Sequence, residues 1–273
     1  MKVVCLVPSL TETLLECGVH VVGRTRYCIH PADQIKGIPA VGGTKDLNKE
    51  KLKQLDPNLL ILDKEENNKW MKDNAPCEVF VSHVDSLVSL SETFKSLSEV
   101  LDNSKLLDLH FRCEKIIQTP SKKWLWSKVP GQKLSWMNGS LTTPLQDSTV
   151  RASLDTDSKS NMGSSSKLDT KLRYMIWRNP WMSIAPQTFI GDVIKKLGGE
   201  QFLVSSENNY PKLEDSDLKD PNVICLFSSE PYPFEKHKEH LPEWAPHGAL
   251  IDGELYSWFG IRSLRFLEKE LEI

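Results

Sequence analysis

The sequence has little of what marks several common functional classes. Positive charge is not in surplus: 34 Lys and Arg stand against 37 Asp and Glu, a formal net charge of −3. Nucleic acid and anionic membranes are recognised by clustered excess Lys and Arg, so no footprint for either is present. Long apolar runs are lacking too. Val3 to Val7 and Leu59 to Leu62 have strand length, far short of the ~20 residues of a membrane-spanning helix. There is no nucleophile elbow, P-loop or GxGxxG turn, and Gly42-Gly43 is too short a signal for phosphate. The six cysteines (Cys5, Cys17, Cys28, Cys77, Cys113, Cys225) show no CxxC pair and no metal-finger spacing. Cys5, Cys17 and Cys225 read as small hydrophobes, and Cys28, in a loop, is the one with chemistry open to it. A leader needs an apolar stretch of about 7–15 residues, whereas five apolar residues precede Pro8. The expectation is a monomer that neither binds nucleic acid nor inserts into a membrane. It is cytoplasmic as written, and periplasmic or at the cell surface if a leader was removed.

What is present suits a large α/β chain: 273 residues, 39% of them hydrophobic. Lys2 to Val7 reads as a strand buried on both faces, ended by Pro8. Ser9-Leu10-Thr11-Glu12 fits a capping box with Ser9 as N-cap, and Gly18 is placed for a left-handed C-cap. Val19 to Gly23 and Leu59 to Leu62 read as further strands, Asn48 to Leu55 as a helix. Leu87, Leu90, Phe94, Leu97 and Leu101 recur at helical spacing, and the period restarts with Leu107, Phe111 and Ile117. The second of these helices, Ser104 to Gln118, spans roughly 22 Å at ~1.5 Å per residue, long enough to bridge two lobes.

Residues 121–170 break the pattern. Trp124, Trp126 and Trp136 stand among lysines, and Leu141 to Asp169 is rich in Ser, Thr and Asp. Such a stretch buries too little surface to offset its ordering entropy, and it reads as a partly mobile insertion with its tryptophans pinning the first half. The α/β pattern resumes with strands at Leu172 to Ile176, Val223 to Phe227 and Ala249 to Ile251, and helices at Thr188 to Leu197 and Ile261 to Leu271. The expected domains are an N-terminal α/β lobe over 1–103, a connecting helix over 104–120, the insertion over 121–170 and a C-terminal α/β lobe over 171–273.

A weak internal repeat supports two lobes. Asp56-Pro57-Asn58 and Asp220-Pro221-Asn222 each precede an apolar strand, the strand at Lys2 has a counterpart at Leu172, and the helix ending at Gly18 matches one ending at Gly198. The fold class expected is α/β: two Rossmann-like lobes with parallel sheets, joined by one long helix, with a ligand cleft between them. Ligands of open α/β sheets bind beyond the carboxyl ends of the strands. That singles out Ser9, Arg26, Tyr27, His30, Gly43, Thr44, Lys64 and Glu65 in the first half, and Trp177, Arg178, Asn179, Trp181, Tyr232, Glu254 and Trp258 in the second. Flat aromatic faces with a few charged groups suit a large, partly apolar ligand, and Arg26 and Arg178 suit its carboxylate or phosphate groups. Tyr256 and Phe259 read as core.

Val-Pro-Ser-Leu-Thr-Glu-Thr (7–13), Arg-Tyr-Cys-Ile-His-Pro (26–31), Val-Gly-Gly-Thr-Lys (41–45), Ile-Trp-Arg-Asn-Pro-Trp-Met (176–182) and Asp-Gly-Glu-Leu-Tyr-Ser-Trp (252–258) resemble the helical-backbone, class III substrate-binding proteins. Within them the chain looks closest to the cobalamin, haem and siderophore receptors of ABC importers. The resemblance covers nearly all but 121–170. It implies two Rossmann-like lobes on one rigid helix, and a metal chelate held by Tyr27 and the Gly42-Gly43-Thr44 turn on one side and by Trp177 to Trp181 and Trp258 on the other. It also implies an importer membrane subunit as partner, with Glu66 and Glu230 as docking candidates. The chelate is the ligand, with no catalytic residue, resident metal or cofactor expected.

Three other readings compete. Cys28, His30, Glu65, Glu66 and Glu254 are metal-ligand types on neighbouring loops, without the spacing of a strong ion site. A chelatase-like enzyme also uses two α/β lobes and a His–carboxylate pair. A cytosolic carrier or sensor shares the pocket without the transport role.

Overall fold

The computed structural model describes residues 1–124, 129–130, 132–137, 140–142 and 170–273. The chain divides into two compact units, Met1–Thr119 with Trp258–Ile273, and Pro120–Ser257.

In the first unit the strands are β1 (Val3–Cys5), β2 (Val21–Thr25), β3 (Ala40–Gly42), β4 (Leu59–Asp63) and β5 (Glu78–Ser82), and the helices α1 (Pro8–Glu16), α2 (Lys49–Leu55), α3 (Lys69–Asp73), α4 (Leu87–Leu101) and α5 (Ser104–Gln118). All five strands run parallel, in the order β3-β2-β1-β4-β5. Val4 and Leu6 share one core with Leu60, Leu62, Leu52 of α2 and Met71 of α3. Their alternates Val3, Cys5 and Ile61 are buried too, as a sheet covered on both faces requires.

In the second unit β6 (Gln132–Met137), β7 (Ser140–Thr142), β8 (Lys171–Trp177), β9 (Trp181–Ser183), β10 (Lys212–Leu213), β11 (Val223–Ser228) and β12 (Gly248–Ile251) are ordered β10-β9-β8-β11-β12-β6-β7. Its helices are α6 (Phe189–Lys196), α7 (Asp215–Lys219), α8 (Leu241–Trp244) and α9 (Gly253–Ser257). The last helix, α10 (Ile261–Leu271), belongs to the first unit.

The repeat is real on one side of each sheet. Both β1/β4 and β8/β11 are parallel neighbours; Asn58 N donates to Lys2 O at 2.9 Å, while Lys171 N donates to Asn222 O at 2.8 Å. Gly18 (φ 76°) and Gly198 (φ 89°) both take the left-handed conformation after their helices.

Several expectations are corrected. The second sheet is mixed, because β9 returns antiparallel on β8 and β6 lies antiparallel on β12. Helix α1 starts two residues early, at Pro8, with Val7 as N-cap and no side-chain cap: proline's fixed φ favours the first helical position, and Glu12 turns to a distant arginine instead. Helix α5 is packed into the first unit, burying Leu106, Leu109, Cys113 and Ile116, with Cys113 Sγ donating to Leu87 O at 3.2 Å. Helix α10 lies in that unit as well, through Arg112–Glu268, Arg262–Glu12 and Arg265–Glu16 ion pairs. Part of the 121–170 stretch is sheet, not loop: Trp136 is fully buried in the second core and its Nε1 donates to Ala245 O at 2.7 Å. Trp124 is buried; Trp126 and residues 143–169 of the insertion expected over 121–170 to be partly mobile lie outside the described residues.

Candidate functional site

In the first sheet the strand order reverses between β1 and β4, the switch point where the carboxyl ends of an open sheet leave a crevice. Asp63, the last residue of β4, is buried. Its Oδ1 accepts from Glu65 N at 2.9 Å and Glu66 N at 3.3 Å, and its Oδ2 from Ser82 Oγ at 2.8 Å. Asn67, also buried, accepts from Asp63 N at 2.8 Å and donates from Nδ2 to Leu6 O at 3.2 Å and Thr44 O at 2.9 Å. Lys45 Nζ donates to Glu65 O at 2.8 Å. The half-buried Glu66 has its carboxyl lifted to about 8, first by burial and then by the Asp63 charge, with Lys45 pulling the other way.

Around this centre lie the predicted residues. Ser9 is in the first turn of α1, its Oγ buried without a hydrogen-bond partner. Arg26 is held by Asp46 in a bidentate pair, NH2 lying 2.7 and 2.8 Å from the two carboxylate oxygens, so one candidate anion-binder already has an anion. Tyr27 is 55% exposed, with the Arg26 guanidinium 5.5 Å from its ring centre. Gly43 is buried, Thr44 half-buried and Lys64 exposed. A Cβ on Gly43 would come within 2.6 Å of Asp46 Oδ1, so a side chain there would push aside the carboxylate that holds Arg26. Glu65 sits 3.8 Å from His83.

His30 meets Trp258 edge-on at 5.6 Å. Trp258 was expected on the second lobe; the structure assigns it to the first unit, because the chain returns there just before α10. Cys28 is closed off: its thiol bonds Thr25 Oγ1 at 3.1 Å and Thr11 Oγ1 at 3.3 Å, and burial pushes its pKa up. Buried Cys5 is pushed up to about 12 by desolvation. Neither thiol is a ready nucleophile.

In the second unit Trp177 ends β8, 43% exposed, with Tyr232 edge-on at 5.6 Å. Tyr232 Oη lies 3.2 Å from His237 Nε2. Glu254 lies in the first turn of α9, which follows β12; with Asp252 it raises the pKa of Glu230, after burial as the leading cause. Asn179 is exposed, at φ 64°. Arg178 lies 3.9 Å above the Trp244 ring, stacked on an aromatic face. Trp181, expected in a pocket, is instead core: it is 9% exposed, stacks on Phe234 and donates from Nε1 to Asp215 Oδ1 at 2.7 Å. Period-2 alternation through the short β9 turns it inward. Tyr256 and Phe259 are buried.

Among the described residues no three His, Cys, Asp or Glu side chains are grouped to hold a metal ion, and no helix is long and apolar enough to cross a membrane. Asp46 and Asp63 are residues whose part in this face the sequence reading missed; Asn67 follows a strand end in the sequence, but its bonds to Leu6 O and Thr44 O were not foreseen. Their partners are backbone atoms and side chains of other loops, which no local motif announces.

No family model matches the chain, and no curated protein matches it by sequence. Solved structures do. The periplasmic vitamin B12-binding protein BtuF of Vibrio cholerae aligns over 99% of this chain and 95% of its own at 13% identity and TM-score 0.61. The periplasmic haem-binding protein RhuT from Roseiflexus sp. RS-1, in apo form, covers 99% and 96% at 13% identity and TM-score 0.67. Staphylococcus aureus IsdE complexed with haem covers 99% and 97% at 13% identity and TM-score 0.65. At such identities the shared property is the fold, and this chain has the fold of the class III substrate-binding proteins.

Proposed function

We propose that the protein is a non-catalytic binding protein for a metal chelate of the cobalamin, haem or ferric siderophore kind. The observation that carries this reading is the pair of exposed aromatic rings at strand carboxyl ends, Tyr27 in the first unit and, in the second, Trp177, which the partly buried Tyr232 meets edge-on. Flat apolar rings beside a few polar groups suit a large macrocycle or chelate, and proteins of the same fold bind vitamin B12 and haem. Under this reading the ligand is delivered to the membrane subunit of an ABC importer from the periplasm or cell surface.

The test is a titration of intrinsic tryptophan fluorescence with cyanocobalamin, hemin and ferrichrome, corrected for absorption by each ligand. Saturable quenching near one equivalent by one of the three is expected, weakened about tenfold or more by Trp177→Ala, since a stacked aromatic contributes on the order of 1–3 kcal/mol. Silence with all three, or full affinity in the variant, refutes the reading.

A further inference from the structure

Thr44, a predicted ligand contact, stands on a loop with unusually many fastenings. At its start Gly42 (φ 154°) leaves no room for a side chain against the Asp46 backbone. Arg26 N donates to Gly42 O at 2.8 Å and Gly43 N to Asp46 O at 3.0 Å. Across from it, Asn68 Nδ2 donates to Lys45 O at 2.7 Å and Lys45 Nζ to Glu65 O at 2.8 Å. Most of these bonds lie at the exposed rim. The one buried junction is Asn67, whose amide group reaches Leu6 O at the end of the β1 segment, Thr44 O on the loop and Asp63 N at the end of β4. No other side chain in this cluster joins three separate segments among the described residues.

We propose that Asn67 is a positioning residue for ligand binding: its buried amide holds the Gly42–Lys45 loop against the carboxyl ends of β1 and β4, so the first unit offers a preformed ligand face. The inference rests on the binding function proposed above. Its physical basis is preorganisation. A loop already held in its bound shape loses less freedom on binding, and that saving appears as affinity. Asn67 need not touch the ligand for this to hold. The carboxamide is specified by its bonds, since two carbonyls require donors while Asp63 N requires an acceptor. Aspartate retains the acceptor and loses both donors.

The experiment compares Asn67→Ser and Asn67→Asp with Asn103→Ala in the full-length protein, using hemin, cyanocobalamin and ferrichrome as probes. Asn103 is a matched control in the same unit. It also makes three side-chain bonds, capping Lys105 N and Leu106 N and reaching Cys17 O in a part-buried site, but at the α4–α5 turn, away from the ligand face. Affinity and thermal midpoint are measured for each variant, well below every midpoint. Both types of variant are expected to lower the midpoint. Only the Asn67 variants are expected to weaken binding, by about tenfold for Asn67→Ser, with Asn103→Ala within twofold of the wild type. Should Asn67→Ser fold poorly, Asn67→Asp carries the comparison with the same expected direction. Wild-type binding that is unaltered by the Asn67 changes, or weakened equally by Asn103→Ala, overturns this inference and leaves the binding function standing. A wild type that binds none of the three probes overturns both.

Discussion

Replacing Arg262 by methionine tests how the C-terminal helix is held. Arg262 lies 250 residues from Glu12 in sequence, yet its Nε and NH2 meet the two carboxylate oxygens at 3.0 and 2.6 Å. The Glu12 side chain is 6% exposed and that of Arg262 25%. Removing one partner of a buried pair leaves an uncompensated charge, at a cost of about 3–5 kcal/mol. The partial exposure of the arginine puts the expectation at the lower end, about 3 kcal/mol. Changing both partners, Glu12→Gln with Arg262→Met, removes the stranded charge and should recover about 2 kcal/mol of that loss. Urea unfolding at neutral pH, followed by circular dichroism and tryptophan emission, gives the cycle. Because the chain comprises two compact units, the relevant transition is the one that Leu14→Ala, a core change in the first unit, also moves. Trp258, 5.9 Å from the Arg262 guanidinium, is a local reporter of the same event. A loss under about 1 kcal/mol for Arg262→Met, the size typical of a surface pair, or no recovery in the double variant, would refute the argument.

Two further outcomes follow from buried groups elsewhere. Glu66 holds its proton to about pH 8 in the fold against an ordinary value of 4.5, so its stabilising contribution is complete below pH 4.5 and is lost as pH rises through 8. At about 1.4 kcal/mol per pH unit the upper limit is near 5 kcal/mol; with water at its exposed edge we expect Glu66→Gln to gain roughly 1–2 kcal/mol relative to wild type between pH 5 and pH 9. Urea midpoints at the two pH values check this, and a difference that does not vary with pH would contradict it. Trp136→Ala, which empties a fully buried site and strands the Ala245 carbonyl, should cost about 3–5 kcal/mol in the transition of the second unit. A cost below about 1 kcal/mol would mean that β6 is not an integral strand of that sheet.

Local pattern carried much of this fold. The continuous apolar runs at β1, β4 and β11, the helical periods of α4 and α5, and the glycines after α1 and α6 are all where the sequence puts them. Each of these signals depends on residues a few positions apart. The candidate faces were legible to the extent that strand ends were: Tyr27 and Trp177 emerge there, exposed. What remained hidden depends on partners far along the chain. Ser9 and Glu12 satisfy every local rule for a capping box, but Pro8 starts the helix earlier and Glu12 pairs with Arg262. Trp258 and α10 follow a stretch of the second unit and return to the first. Trp136 lies in a segment whose polarity suggests a loop, and becomes a strand because β12 has an open edge for it to pair with. Trp181 and Arg178 belong to one short motif, and only packing decides that the indole is core and the guanidinium is stacked on Trp244. Nearest-neighbour chemistry sets secondary structure, whereas the free energy of burying a charge or an indole is settled by whichever distant group arrives to meet it.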